Sequence, residues 1–197
     1  MTRIVSGFAG SLSLTVPRSG TRPTSDRVRE AVFSSLEAMD AVSGMNVLDL
    51  YAGSGALGLE AVSRGAASAV LVERSAQAAG VCRANARAVL AAAERSPGRR
   101  PAISVRQSSV NAYVRQPSGA RFDLVFLDPP YDVADDELGT VLTDLVASLS
   151  QDAVVVVERS SRSPEPRWPD GLEALRSKSY GETTVWFAQP PAPSQPE

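Results

Sequence analysis

Histidine is absent from the 197-residue sequence, and cysteine occurs once, as Cys82. Without histidine there is no Ser-His-Asp triad, no histidine general base and no histidine zinc site. Catalysis then falls to carboxylates, backbone groups or an organic cofactor, and no metal is expected. A lone cysteine cannot form an intrachain disulfide, which suits a reducing compartment. In its alanine-rich surroundings Cys82 reads as a small packed hydrophobe. Long apolar runs are missing as well. No stretch has the length to span a bilayer, and the opening "MTRIVSGFAGSLSLTV" lacks the apolar core of a signal peptide. A cytoplasmic protein without a membrane partner is the expectation. Nor is there a large charge excess: 20 Lys and Arg stand against 22 Asp and Glu, a net −2. No global polycation advertises nucleic acid.

What is present is an ordinary globular composition, 43% hydrophobic and 21% charged, in a length that suits one domain with a small appendage. Residues 1–22 alternate like a β-hairpin ("RIVSG", "SLSLTV", "PRSG") and read as an N-terminal extension. Residues 23–188 form the main domain, and 189–197, "QPPAPSQPE", a disordered tail. Pro23 and the hydroxyls of Thr24 and Ser25 start a helix in which Val28, Ala31, Val32, Leu36 and Met39 recur at helical spacing.

From residue 45 strands alternate with helices. "MNVLDLY" precedes a short helix stopped by Gly65, and "SAVLVE" precedes a long helix from Ser75 to Glu94. "AISVRQ", a short helix around "VNAYVRQ", and "DLVFL" follow. Then come the helix "DDELGTVLTDLVASL", the strand "AVVVVE" and a hairpin of "LRSKSYG" with "TTVWFA". This order predicts an α/β, Rossmann-like fold: a mainly parallel sheet covered on both faces, with a terminal antiparallel hairpin.

The first strand of the repeat runs into "DLYAGSGALG", where Gly53, Gly55 and Gly58 have the G-x-G-x-x-G spacing. Between a strand and a helix, such glycines let the backbone approach a nucleotide. Asp49, four residues before Gly53, would repel a pyrophosphate but suits a ligand bearing an ammonium or sulfonium. S-adenosylmethionine has both and no phosphate. Glu73 closes the next strand, twenty residues after Gly53, where a carboxylate accepts from both ribose hydroxyls of an adenosine. The helix start at Thr24 and Ser25 is a candidate receptor for the methionine carboxylate.

The strand "DLVFL" ends in Asp128, Pro129, Pro130 and Tyr131. Methyl transfer to an exocyclic amine of a base is difficult because the nitrogen lone pair is delocalised into the ring. Two acceptors beside that nitrogen hold its hydrogens out of conjugation and stabilise the charge that grows on it. The Asp128 carboxylate is one acceptor and the Pro129 carbonyl the other, aimed by two prolines whose backbone is restricted. Tyr131 offers a face on which an extruded base stacks. The amine cation sheds its proton to Asp128 or water, so no histidine is needed.

With "DLYAGSGALGLEA" and "FLDPPY", preceded by "RIVSG" and "RPTSDRVREAVF", the chain resembles the RsmD-type 16S rRNA guanine methyltransferases of bacteria from about Arg3 to Ala188. The resemblance implies transfer from S-adenosylmethionine, released as S-adenosylhomocysteine, to the 2-amino nitrogen of a guanine. The acceptor would be 16S rRNA within the small ribosomal subunit or its assembly intermediate, with the enzyme acting as a monomer. Carried over by position, Asp49 and the loop of Tyr51, Ala52, Gly53, Ser54 and Gly55 hold the methionine side, and Glu73 holds the ribose. Asp128 to Tyr131 hold the base. Such enzymes usually place an aspartate after the third strand to accept from the adenine amino group. Here Ser109 stands at that position, with Asn111 as the alternative acceptor.

Residues 1–36 carry Arg3, Arg18, Arg22, Arg27 and Arg29 against Asp26 and Glu30, a local excess of three positive charges. Arg3, Arg18, Arg22 and Arg27 are the candidate RNA contacts, the hairpin with Arg3 and Arg22 being the docking appendage and Arg27 lying in the first helix. A second basic stretch, from Arg83 to Arg100, follows in the long helix and its loop. The competing readings are a DNA adenine or cytosine amino-methyltransferase, a nicotinamide oxidoreductase sharing the glycine spacing, and a non-catalytic RNA-binding module.

Overall fold

A computed structural model of the chain describes residues 2–17, 25–98, 100–116 and 119–192. Arg18, Arg22 and Thr24 lie outside the described residues, as does most of the tail.

Strands β1 (Thr2–Arg3) and β2 (Ser13–Leu14) pair antiparallel. Helix α1 (Asp26–Glu37) starts at Ser25, whose hydroxyl accepts from the Val28 amide, with Asp26 in the first turn where the helix dipole favours an anion. The repeat continues through β3 (Asn46–Leu50), α2 (Ala56–Ser63), β4 (Ser68–Glu73) and α3 (Ala76–Glu94), the last capped by Ser75. After β5 (Ala102–Gln107), α4 (Val110–Val114), β6 (Phe122–Leu127) and α5 (Asp135–Leu145) come β7 (Leu149–Ser160), β8 (Glu173–Tyr180) and β9 (Thr183–Gln189). The two-residue strands of the first hairpin are shorter than its alternation predicts. β7 is longer than "AVVVVE", because it pairs with β6 on one side and, through Ser160, with β9 on the other.

Seven strands form one sheet in the order β5-β4-β3-β6-β7-β9-β8. The five from β5 to β7 are parallel, and β9 is antiparallel to both neighbours. Period-two alternation divides the strand residues between two cores. Val47, Leu71, Leu124 and Phe126 pack on α1, α2 and α3, with the Phe33 and Phe126 ring centroids 5.6 Å apart. Leu48, Leu50, Val125 and Leu127 pack on α4 and α5. Each fully buried side chain of this size contributes about 1.5–3 kcal/mol. At the outer edge every residue of β8 but the half-buried Tyr180 is exposed, and a bulge falls between Ala174 and Arg176.

The chain runs β3, β4, β5 in one direction and then returns to lay β6 on the other side of β3. This reversal opens a crevice at the carboxyl ends of β3 and β6. The glycine loop and Asp128 leave those two strands, so the topology sets them side by side.

The N-terminal hairpin is tied into the domain. Glu60, fully buried in α2, accepts from the Val5 amide at 2.7 Å and the Ser6 amide at 2.9 Å. It also accepts from Arg64 Nε at 2.7 Å and lies 3.7 Å from Arg29 Nε. Arg29 is fully buried and donates to Thr2 Oγ1, to the Arg3 carbonyl and to Asp26. The charge that Arg29 adds to the basic N-terminus in the sequence is therefore spent inside the protein. Further along, the Asn85 amide nitrogen donates both to the Thr15 carbonyl, at 2.8 Å, and to the Ser54 carbonyl of the glycine loop, at 2.9 Å.

Candidate active site

Two cavities open at the crevice. The larger, about 310 Å³, lies over the carboxyl ends of β3, β4 and β6, and Tyr51, Gly53, Glu73, Ser109, Asn111 and Asp128 are among the residues that line it. The smaller, about 230 Å³, is lined by Asp128, Pro129, Pro130 and Tyr131 together with the end of β7. Asp128 and Pro130 line both, so one short segment is the wall between two compartments.

The glycine loop holds its shape by backbone bonds. Tyr51 at φ +63° is left-handed despite its side chain, and Gly55 sits at φ +81°. The Ala52 amide donates to the Val72 carbonyl at 3.0 Å, and the Gly55 amide donates to the Ala52 carbonyl at 2.6 Å. Gly58 serves packing: a Cβ there would stand 2.3 Å from Leu71 Cδ2 and 3.1 Å from Asp49 Cβ. Its amide donates to Asp49 Oδ2 at 2.9 Å.

Glu73 is fixed by two amides, Gly53 to Oε2 at 2.9 Å and Ser75 to Oε1 at 2.6 Å. A carboxylate oxygen accepts more than one bond, so both retain capacity for hydroxyls in the cavity. At the other end, Asn111 donates to Glu137 Oε1 at 2.9 Å, while its own Oδ1 is buried without a hydrogen-bond partner. The Tyr51 hydroxyl is also buried without a partner, and burial and then the nearby Glu137 charge push it up to about 12. Both residues line the larger cavity, which makes these unpartnered atoms candidate contacts for a ligand's polar groups. Ser109 lines the same cavity, but its hydroxyl is occupied as the cap of α4, accepting from the Ala112 amide at 3.2 Å.

Glu73, Asp128, Asp132 and Glu137 surround this cavity, with Arg74 as the basic member of its wall. Among the described residues no three acids or cysteines gather closely enough to hold a metal ion, so the negative field is spread over the cavity's length. Such a field repels a pyrophosphate and attracts an organic cation.

Asp128 to Tyr131 leave β6 without regular structure. Pro129 is buried, and Tyr131, at 76% exposed, turns its ring outward beside the smaller cavity. The segment beyond is braced from β7: Arg159, nearly buried, donates to the Val133 carbonyl at 3.1 Å and to Asp135 at 2.7 Å.

Of the expected site residues, Tyr51, Gly53, Glu73, Ser109, Asn111 and Asp128 meet in one cavity, and Pro129, Pro130 and Tyr131 meet beside it. Asp49, Ala52, Ser54 and Gly55 are not among the lining residues. Asp49 lies buried beneath the loop, and burial moves its carboxyl up from 3.8 to about 7. The carboxylates that face the cavity are Glu73, Asp128, Asp132 and Glu137, with Asp49 underneath the loop. Cys82 is fully buried, and burial pushes its thiol up to about 12, which leaves it protonated and inert. Arg3 pairs with Asp26 at 3.3 Å, and Arg27 is exposed on α1.

Asp132, Glu137, Glu158 and Arg159 are site residues that sequence reasoning passed over. Glu158 did carry a signal, since it stands near the end of its strand as Glu73 does. Arg159 and Glu137 carried none, because their partners come from distant elements.

Residues 2–189 match the family model described as Conserved hypothetical protein 95. The chain is 32% identical over 188 residues to Ribosomal RNA small subunit methyltransferase D of Escherichia coli (strain K12), covering 95% of this chain and 89% of that protein. It is 33% identical over 181 residues to the protein of the same name in Haemophilus influenzae, covering 91% and 89%. Among solved structures it is similar to yhhF of Escherichia coli, described as a candidate methyltransferase, with 29% identity, a TM-score of 0.79 and coverage of 97% and 98%.

Proposed function

Since the chain belongs to the Conserved hypothetical protein 95 family, whose RsmD-type enzymes it resembles, we propose that it methylates ribosomal RNA. In this reading it transfers a methyl group from S-adenosylmethionine to the 2-amino nitrogen of a guanine in the 16S rRNA of the small subunit. The observation that carries the reading is the shared wall: Asp128 and Pro130 border both an acidic cavity and a second one beside an exposed tyrosine. A donor and an acceptor held on either side of one carboxylate is what group transfer between two bound molecules requires.

The acidic cavity fits the cofactor by charge and by its unfilled polar atoms. When bound, S-adenosylmethionine supplies an electrophilic methyl group on a positively charged sulfur. Glu73 accepts from the ribose hydroxyls, its orientation already fixed by the Gly53 and Ser75 amides. Asn111 Oδ1 accepts from the adenine amino group; its amide end is held by Glu137, so the oxygen is aimed without cost at the moment of binding. The glycine loop supports the methionine portion, with Asp49 underneath.

In the smaller cavity Tyr131 stacks on the target base while Asp128 and the Pro129 carbonyl accept its two amine hydrogens. Held so, the nitrogen lone pair leaves conjugation and is aimed at the methyl group, which the bound cofactor would give up with its sulfur keeping the electron pair of the broken bond. The amine, now cationic, gives one proton to Asp128 or to water. Arg159 keeps the segment in register. The exposed Arg3 and Arg27, with Arg18 and Arg22, meet rRNA phosphates, and no membrane is involved.

Labelled methyl transfer to small subunits purified from cells lacking this protein, followed by mapping of the modified nucleotide, tests the reading. Asp128→Ala is expected to lower transfer about 100-fold or more while the cofactor still binds. Label on adenine, on cytosine or on DNA would overturn the guanine assignment.

A further inference from the structure

The Asp128 and Pro129 acceptors suit any exocyclic amine, whether of guanine, adenine or cytosine, and so do not choose among them. The bases differ at the neighbouring ring nitrogen. In guanine it carries a hydrogen and donates; in adenine and cytosine it carries a lone pair and accepts. A cavity that picks guanine needs a fixed acceptor next to the one that holds the amine.

We propose that Glu158 is that acceptor and sets the choice of guanine over adenine and cytosine. The inference deepens the guanine reading above and rests on it. The last rung between β6 and β7 pairs Leu127 with Val157. The next residues along those parallel strands are Asp128 and Glu158, and both line the smaller cavity. Neighbouring strands lie about 4.8 Å apart, so the register brings the two acidic residues to neighbouring positions on the wall of that cavity. The ring N–H and the 2-amino group of guanine are likewise adjacent donors on one edge.

The rest of the wall lacks an equivalent device. Ser160, Ser163 and Thr183 also line the cavity, but a hydroxyl turns to donate or accept and so tolerates either kind of base. Arg159 is a fixed donor, and both its terminal nitrogens are engaged by Val133 and Asp135. An ionised Glu158 only accepts. Against adenine or cytosine it would face a ring lone pair, which forfeits a hydrogen bond and sets two acceptors against each other.

The test separates the ring nitrogen from the amine. Small subunits are reconstituted with rRNA carrying either guanine or 2-aminopurine at the position that takes the label. 2-Aminopurine keeps the 2-amino group but has a lone pair where guanine has its ring hydrogen. Wild-type enzyme is expected to prefer guanine in kcat/KM by about 10- to 100-fold. Glu158→Gln, whose amide can also donate, should bring the two substrates within about 5-fold of each other while calorimetric affinity for the cofactor is unchanged. Persistence of the wild-type preference in Glu158→Gln overturns the proposal. So does a variant that binds cofactor normally yet is equally inactive on both bases, since Glu158 would then belong to the chemistry and not to the choice of base. If wild-type enzyme places no label on guanine at all, the parent reading has failed, and that result is distinguishable from either of the others.

Discussion

The Gly58 amide, in the first turn of α2, donates at 2.9 Å to the Asp49 carboxylate at the end of β3. This single bond joins the strand below the glycine loop to the helix beyond it. It does not offset the cost of burying the acid, whose carboxyl is moved from 3.8 to about 7, chiefly by burial.

That displacement predicts a pH-dependent stability. Between about pH 4 and pH 7 the folded protein holds a proton that the unfolded chain has released, so stability falls as pH rises through this window. Asp49→Asn has no proton to lose and keeps an oxygen for the Gly58 amide. Its melting temperature should exceed that of the wild type at pH 8, with the advantage shrinking to nothing near pH 4. The ceiling on the difference is on the order of 4 kcal/mol. Paired melting curves across pH 4–8 measure it, and parallel curves for the two proteins would refute the assignment.

The proposed adenine contact separates Asn111 from Ser109. Asn111→Ala should weaken cofactor binding about tenfold, the worth of one buried hydrogen bond. Ser109→Ala should weaken it less, acting through the loss of the α4 cap. Titration calorimetry on both variants gives the comparison, and a larger loss for Ser109→Ala reverses the roles.

Arg159 braces the segment after Pro130 from β7 by bonds to Val133 and Asp135, and reaches Tyr51 in the larger cavity only through its charge. Arg159→Met should therefore lower kcat about tenfold with cofactor affinity within twofold of wild type. A matched fall in cofactor affinity would show that the brace also shapes the larger cavity.

Glu60 holds the N-terminal hairpin by two backbone amides and balances Arg64 and Arg29. Removing its charge leaves buried guanidinium groups undercompensated, so Glu60→Gln should cost about 3 kcal/mol in chemical denaturation. Hydrogen exchange at the Val5 and Ser6 amides should accelerate. Deleting the hairpin is a poor probe of RNA docking for the same reason: it would strip a buried network and damage the fold. Arg27→Glu is the cleaner one. It should weaken subunit binding and reduce the salt slope by more than one unit, since two charges change.

The sequence was most readable where one local signal governs an element. Ser75 and the alanine-rich run placed α3 within a residue of its observed start, and "AISVRQ" is β5 without adjustment. That the DPPY segment and Glu73 would meet at one crevice was readable, because strand ends in a parallel sheet open onto one edge. What escaped depended on partners far away in the chain. Arg29 looks like a surface charge until Glu60, in another helix, comes beside it; Glu137 joins the cavity only because α5 docks near α4. Asp49 was legible as an acid near the loop, but nothing local says whether it points into the cavity or under it.

The last rung between β3 and β6, where Leu50 faces Leu127, joins segments made at widely separated moments of synthesis. A chain halted before residue 122 already contains the glycine loop, Glu73, Ser109 and Asn111, yet has no β6 and none of the partition that follows it. Laying β6 beside β3 closes a long excursion, a kind of pairing that comes late in folding. In the proposed reading, competence to modify a substrate thus waits for β6 and the strands laid after it, because the smaller cavity takes its walls from them.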